Sequence, residues 1–476
     1  MIFSSPKDLE QAVGRAGVSA TKAPLSETER KALTLRSIVD DLIYTAVFSG
    51  DDATKKRART LIHQLARRAG AVSMSIQPLY EAIGRGEVAK KFTVPAHNIR
   101  GLTYEVSRAL FRAAMKRDVG AFIFEIARSE IGYTEQRPAE YAACVLAAAL
   151  REGFQGPVFL QGDHFQASAK KWKTDRDGEI RSIEALIDEA MAAEFYNIDI
   201  DTSTLVDLSF TEVGEQQAEN VEAAAHFSRY IRERQLVDIS IGGEIGEVGK
   251  HNSTPEEFRA FMNGYLKNLR QDSKGISKIS IQTGTSHGGV PMADGTIAKA
   301  SIDFNAIREI SAIARREYGI GGAVQHGAST LPEEVFDQFP KNDTLEIHLA
   351  TGFQNMILDH PSFPKEMKEE IGQFCVKHCA DERKDGESEE QFRYKTRKKA
   401  FGPFKRAMWD MPAGEKEPII AELERKFGFL FEKLDVAGTR DIVGKYVDIS
   451  DTTLPSYSAF SDERAAMALV DPNEGE

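Results

Sequence analysis

The stretch PVFLQGDHFQASAKKWKTDRDGEIRSIEALIDEAMAAEFYNIDID, residues 157–201, decides the fold of this chain. It begins with an apolar run that ends in QGDH, and it closes with the β-prone run YNIDID at 196–201. Between the two lies EIRSIEALIDEAMAAE at 179–194, which has a helix-like pattern. Short runs that are largely apolar are typical of parallel strands, because such strands are buried on both faces. The stretch therefore predicts a strand, a helix and a second strand.

The same unit recurs from residue 92 to residue 351, where helix-like segments separate the β-prone runs. The eight runs are FTVPAHN at 92–98, GAFIFEIA at 120–127, PVFLQGDH at 157–164, YNIDID at 196–201, VDISIGGE at 237–244, KISIQTG at 278–284, GGAVQH at 321–326 and TLEIHLAT at 344–351. Eight such repeats predict an α/β chain with a closed (β/α)8 TIM barrel. An open doubly wound sheet is the alternative, and the lack of a GxGxxG motif after the first run weakens it.

The flanking regions are helical and charged. We predict an N-terminal helical extension over 1–90, the barrel as the catalytic domain over 91–360, C-terminal helices packed on it over 361–450 and an acidic tail over 451–476. In the extension, Ser26 followed by Glu29 has the pattern of a capping box. In the third region, the basic run KTRKKAFGPFKRAM at 395–408 predicts a solvated helix face. Cys375 and Cys379 there are predicted to pack in a helix.

Composition argues against some classes of binding partner and indicates a cellular compartment. The net charge of -12 argues against general affinity for nucleic acid or an anionic membrane. Three cysteines do not form a disulfide framework, and neither a signal peptide nor a membrane-spanning run is found, so we expect a cytoplasmic protein. Barrels with helical additions are often symmetric, and by this analogy we expect a homo-oligomer.

Polar residues recur at the carboxyl ends of the predicted strands, which in a barrel all face one mouth. They are Asn98, Glu125, Asp163, His164, Asp201, Ser203, Glu244, Thr285, Ser286, His287, His326, His348 and Thr351. Strand ends need neither histidine nor carboxylate for stability, so their repetition indicates a site. His164, His287 and His326 end the third, sixth and seventh strands, and three imidazoles predict a zinc or similar divalent cation with one position open for substrate. Glu244 is a fourth or alternative ligand.

Two glycine-containing strand ends suggest an anion site. SHGG at 286–289 and HGAS at 326–329 let backbone N–H groups approach an anion closely, and Ser329 and Thr351 add hydroxyls. We predict a phosphate cradle here, since barrels often bind phosphate after strands seven and eight. The alternative is that the glycines only form tight turns.

Taken in order, several motifs resemble the class II, metal-dependent fructose-bisphosphate aldolase family and its tagatose-bisphosphate relatives. They are QGDHFQ, DTSTLVDLSF, GGEIGEVG, TGTSHGG, QHGAS and EIHLAT, and KTRKKAFGPFKRAM resembles the C-terminal helix of that family. The resemblance covers roughly residues 91–435 of this divergent chain.

The resemblance implies a role for each matching residue. His164, His287 and His326 bind the catalytic zinc, and Asp163 exchanges a proton with the aldehyde oxygen. Glu244 and Asp207 mark a secondary metal position. Gly249 belongs to a monovalent-cation site, although Lys250 replaces the next glycine of the family. The residues that face the phosphate or the rest of the substrate are Gly288, Gly327, Ser329, Thr351, His348 and Asn98. The implied reaction is reversible aldol cleavage of a phosphorylated ketose through a metal-stabilised enediolate.

The chain also departs from the family. In the family, a loop after strand five carries an acidic residue that moves the proton on the enediolate carbon. Here that loop reads GKHNSTPEEF, and the acidic residues that could substitute are Glu247 just before this stretch and Glu256 or Glu257 within it. His348 and Ala350 replace the Asn and Asp of strand eight, and we infer an altered substrate. Two other hypotheses stay open: a different metal-dependent barrel enzyme, such as a hydrolase or isomerase, and a non-catalytic subunit that stabilises a partner aldolase.

Overall fold

The computed structural model describes residues 2–18, 23–35, 38–246, 251–284 and 302–450. Nine strands lie within these ranges: β1 (Ala71–Ser73), β2 (Val94–Asn98), β3 (Ile123–Ala127), β4 (Gly156–Gln166), β5 (Asn197–Asp201), β6 (Ser240–Glu244), β7 (Lys278–Ile281), β8 (Ala323–Gln325) and β9 (Glu346–Leu349). Strands β2 to β9 pair in parallel with their chain neighbours, and β9 pairs back onto β2. The ring is therefore closed, and the predicted TIM barrel is confirmed.

Helices fill the connections and both flanks. They are α1 (Pro6–Arg15), α2 (Glu27–Leu35), α3 (Ile38–Phe48), α4 (Asp52–Ala69), α5 (Gln77–Gly84), α6 (Thr103–Met115), α7 (Arg128–Tyr133), α8 (Pro138–Glu152), α9 (Ala169–Thr174), α10 (Arg176–Ala192), α11 (Val213–Gln216), α12 (Ala218–Arg234), α13 (Pro255–Asn268), α14 (Phe304–Tyr318), α15 (Gln338–Lys341), α16 (Thr351–Leu358), α17 (Lys365–His378), α18 (Glu389–Thr396), α19 (Lys405–Trp409), α20 (Ala413–Lys433) and α21 (Arg440–Tyr446). Helices α3 and α4 pack on α8, and α20 packs along α6. None of the helices in the described ranges is long and apolar enough to cross a membrane.

Three local features differ from the sequence prediction. Strand β1 lies in a region predicted to be helical; it follows the left-handed Gly70 at the end of α4 and pairs with the first residues of β4 outside the ring. A three-residue strand is too short to show a period of two, so no sequence signal marks it. The helix-like segment between the seventh and eighth β-prone runs, LPEEVFDQF at 331–339, forms only a 3-10 turn and the single turn of α15, because Pro340 removes a backbone donor that a longer helix would need.

The basic run 395–408 is neither one helix nor a solvated face. It breaks between α18 and α19 near Gly402, where an added Cβ would come within 2.7 Å of the Tyr133 carbonyl oxygen. Its cations are largely committed to carboxylates: Arg397 pairs with Asp359 and Lys405 with Glu140, both at 2.6 Å. Two smaller predictions are confirmed. Ser26 and Glu29 form the capping hydrogen bonds of α2, and Cys375 and Cys379 are buried and not in a disulfide.

Candidate functional site

The interior of the barrel is polar at several positions where such barrels normally carry branched apolar residues. The strands direct these charged or amide side chains inward, and each is at most 5% exposed: Glu125, Gln161, Asp199, Lys278 and Glu346. In the sequence, polar residues alternate with apolar ones in runs such as KISI and EIHL, and this alternation is the signal that could have identified them. They form a buried, hydrogen-bonded layer beneath the mouth.

An irregularity in β4 places two neighbouring residues in the mouth. In a regular strand Asp163 and His164 would point to opposite faces. Here the pairing of β4 with β5 shifts between Gly162 and Phe165, and His164 has a φ of 40°. As a result His164 Nε2 lies 3.7 Å from Asp163 Oδ1. A left-handed conformation is costly for a residue other than glycine, and such strain clusters at functional sites.

His164 lies among acidic residues and faces a second histidine. Its Nδ1 is 3.0 Å from Asp201 Oδ2 and 3.3 Å from Glu244 Oε2. The His326 ring lies 4.2 Å from the His164 ring between centroids, and its Nε2 is 2.8 Å from Ser280 Oγ. Partners of this kind orient metal-binding imidazoles.

The structure thus brings together three of the four predicted metal ligands. One ligand atom from each of His164, Glu244 and His326 lies within 4.8 Å of the others. Two imidazoles and a carboxylate form a donor set that suits zinc and similar divalent cations. These residues therefore fit a bound cation. The fourth predicted ligand, His287, lies outside the described residues.

Electrostatics at this cluster favour positive charge. Burial lowers the pKa of His164, but the carboxylates of Asp163 and Glu244 outweigh it and raise that pKa well above 6.5. Burial, assisted by the charge of Asp201, raises the pKa of Glu244 to about 7. Neighbouring carboxylates contribute to both shifts, and either protons or a metal cation would offset their charge.

Both oxygens of Asp163 have donors. Asn98 Nδ2 donates to Oδ2 at 2.8 Å, and His348 Nδ1 donates to Oδ1 at 3.0 Å. Burial raises the pKa of Asp163, but the neighbouring His164 and His348 outweigh this effect and bring the pKa well below its ordinary 3.8. Asp163 is therefore held as an ionised carboxylate beside the cation cluster.

His348, predicted to face the substrate, has both ring nitrogens turned to carboxylates of the barrel. Nε2 lies 2.6 Å from Glu346 Oε1. Nδ1 is 3.2 Å from Glu125 Oε2, in addition to its bond to Asp163. His348 is only 4% exposed.

Three residues of the predicted phosphate cradle, Gly327, Ser329 and Thr351, lie within the described part of the chain. Gly327 has a left-handed φ of 67°. Ser329 Oγ accepts a hydrogen bond from Gly352 N at 3.1 Å. Thr351 Oγ1 accepts one at 3.2 Å from Arg100, a buried guanidinium that the sequence analysis missed and that also pairs with Glu130 at 2.6 Å. Arg100 follows strand β2 by two residues, as expected of a side chain at the mouth.

Other predicted residues do not join the site. Asp207 is exposed and accepts a hydrogen bond from Ser209 N at 3.0 Å, so the secondary position beside His164 is taken by Asp201. Glu257 caps α13, accepting from Thr254 N at 2.7 Å, and Glu256 lies in the same first turn. The remaining predictions fall outside the described residues: Glu247, Gly249, Lys250, Thr285, Ser286, His287 and Gly288.

Comparison with known proteins finds one matching family. The model of the class II fructose-bisphosphate aldolase family matches residues 85–410. No curated protein sequence matches the chain.

Two of the similar solved structures share the fold, and a third has a lower TM-score. A probable tagatose 6 phosphate kinase from Sinorhizobium meliloti 1021 has a TM-score of 0.50 at 15% identity, over 79% of this chain and 97% of its own. A fructuronate-tagaturonate epimerase UxaE from Cohnella laeviribosi has a TM-score of 0.50 at 12% identity, over 85% of this chain and 90% of its own. A fructose-bisphosphate aldolase from Campylobacter jejuni has a TM-score of 0.44 at 15% identity, over 76% and 94%. At these identities the likeness shows the fold alone.

Proposed function

Because this chain belongs to the class II fructose-bisphosphate aldolase family, we propose that it is a metal-dependent aldolase that cleaves a phosphorylated ketose reversibly. The products are a ketone phosphate and an aldehyde. The observation that carries the proposal is the convergence of His164, Glu244 and His326 within 4.8 Å, directly beside Asp163.

The ligands we assign are His164, His326 and His287, with Glu244 as a fourth or alternative ligand. Zinc suits these donors. A divalent cation held by these residues would supply a Lewis acid for a ketone oxygen and would stabilise negative charge on the ketone half. Asp201 and Ser280 orient the two described imidazoles, which limits how far either ring can rotate.

Asp163 is the proposed proton acceptor during cleavage. It takes the hydroxyl proton of the carbon that becomes the aldehyde, and it returns that proton in the reverse direction. Asn98 and His348 fix its two oxygens before substrate arrives, so the carboxylate does not need to reorient. Its lowered pKa keeps the carboxylate ionised before substrate arrives.

The phosphate of the ketone half is assigned to Gly288, Gly327, Ser329 and Thr351. Arg100, which is paired with Glu130, donates a hydrogen bond to Thr351 Oγ1 and so orients this hydroxyl. The altered strand-eight positions support a substrate other than fructose 1,6-bisphosphate. We place the enzyme in the cytoplasm as a homo-oligomer, with no nucleic-acid or membrane partner.

Metal analysis followed by a cleavage assay over a panel of phosphorylated ketoses tests the proposal. We expect bound zinc or another divalent cation, and cleavage of at least one ketose phosphate. His326→Ala should lose both the bound metal and cleavage. The matched variant His226→Ala should keep both, because His226 is a partly exposed residue of the outer helix α12 and pairs with Glu184. Metal without cleavage would favour a hydrolase or isomerase. Neither metal nor cleavage would favour the non-catalytic subunit.

A further inference from the structure

A buried column of charged side chains runs through the barrel beneath Asp163. We define it as Glu125, Asp199, Lys278, Glu346 and His348, each at most 5% exposed. Lys278 Nζ donates to Asp199 Oδ2 at 2.9 Å and also to Glu346. Charges this deep are costly unless they are paired and hydrogen-bonded, so the column must have fixed geometry.

His348 is the member of the column that reaches Asp163. Its Nε2 lies 2.6 Å from Glu346 Oε1, and its Nδ1 lies 3.0 Å from Asp163 Oδ1. Carboxylate oxygens accept hydrogen bonds, so both ring nitrogens donate. An imidazole that donates on both sides can neither ligate a cation nor accept a hydrogen bond from substrate.

The lower end of the column is anchored from two directions. Glu346 receives the Lys278 ammonium and the hydroxyl of Tyr80, a fully buried side chain on α5, which precedes the first barrel strand. Gln161 Nε2 donates to the same carboxylate at 2.9 Å. With three donors besides His348, Glu346 cannot turn away from the ring.

We propose that His348 is a positioning residue, which holds the carboxylate of Asp163 through Nδ1 while Glu346 holds Nε2 from below. The column thereby connects the floor of the barrel to the proposed proton acceptor through two hydrogen bonds to one ring.

The rival interpretation is a second cation site. One atom from each of Glu125, Glu346 and His348 lies within 4.8 Å of the others. Two features argue against it. The Lys278 ammonium already occupies the Glu346 side, and the two ring nitrogens of His348 face opposite groups of carboxylates.

The inference rests on the proposed aldolase function, and two reactions separate positioning from a general structural defect. Asp163 acts on the aldehyde oxygen, so it is needed for cleavage but not for exchange of the ketone phosphate α-proton with deuterated solvent. In the metal-loaded enzyme, His348→Gln should lower kcat for cleavage by about 100-fold, the cost of a misplaced catalytic group. KM, α-proton exchange and metal content should stay near the wild-type values.

His63→Gln is the matched control, because His63 is also a buried histidine, paired with Glu194 at 2.8 Å in the N-terminal helices. It should retain full cleavage. Equal losses of cleavage and exchange in His348→Gln would overturn the inference. So would an unchanged kcat, or a second bound cation per chain that this variant loses.

If the wild-type enzyme neither cleaves nor exchanges any ketone phosphate, the proposed function fails while the contact can still be tested. Denaturant unfolding of metal-free His348→Gln, Asp163→Asn and the double variant should show non-additive losses, as expected of residues in contact. Additive losses would show that His348 does not hold Asp163.

Discussion

Gly162→Ala should disable the site from a position that carries no functional group. A Cβ at residue 162 would lie 2.4 Å from Phe165 Cζ and 2.5 Å from Cε1, whereas ordinary contact begins at 3.4 Å. The Phe165 ring is fully buried and must therefore move by about 1 Å within the core. Residues 163 and 164 lie between the two, at the irregularity that turns both into the mouth.

The magnitude follows from this geometry. Overpacking of a core costs about 1–3 kcal/mol of unfolding free energy. A displacement of about 1 Å at Asp163 should lower kcat roughly 100-fold. Disturbing the orientation of His164 should weaken the metal about 10- to 100-fold. Denaturant unfolding, competition with a chelating dye and steady-state kinetics measure the three effects.

A second substitution distinguishes this steric cause from others. Phe165→Leu removes Cζ and the Cε atoms that the new methyl group would meet. In that background, Gly162→Ala should cost much less metal affinity than in the wild-type protein. Gly214→Ala is the control, because a Cβ there meets nothing within 4 Å. Wild-type metal binding and turnover in Gly162→Ala alone would refute the reasoning.

Three further predictions concern stability. Burial lowers the pKa of His97 to about 4. The folded state therefore binds fewer protons than the unfolded state between pH 4 and 6.5. As a result, the free energy of unfolding decreases as the pH is lowered through that window. Denaturant titrations of metal-free protein should show about 2 kcal/mol lost between pH 7.5 and 5; parallel curves for His97→Phe would contradict this. Lys278→Met leaves the buried carboxylates of Asp199 and Glu346 without their ammonium. It should cost about 3–5 kcal/mol by chemical denaturation, and a loss below about 1 kcal/mol would argue that protons replace the cation. Chelation should lower the thermal midpoint, and zinc at 100 times its Kd should restore about 2.7 kcal/mol. The same shift in His326→Ala would place the metal elsewhere.

Much of the architecture was predictable from local patterns. The eight apolar runs correspond to the barrel strands, and each helix-like segment between them forms a helix except LPEEVFDQF. Each barrel strand is marked by a short, largely apolar run and each helix by its own period, so the alternation of the two kinds of segment indicates a barrel. The order of the motifs likewise indicated the family, and the strand ends indicated which residues gather at the mouth.

Other features depended on contacts between distant parts of the chain. No local pattern shows that Asp201 and not Asp207 lies beside His164, or that Arg100 supports Thr351. The role of His348 is the clearest case. Its neighbours Glu125 and Asp163 come from β3 and β4, far from it in the sequence, and only Glu346 lies in the same strand.

The sequence by itself determined the barrel, its family and several residues of the mouth, such as Asp163, His164, Glu244 and His326, because these follow from short-range patterns and from motif order. Only the tertiary structure decided which side chains pair inside the ring. Those pairings depend on the register of neighbouring strands and on one irregularity in β4, and a shift of a single residue would turn each side chain to the opposite face.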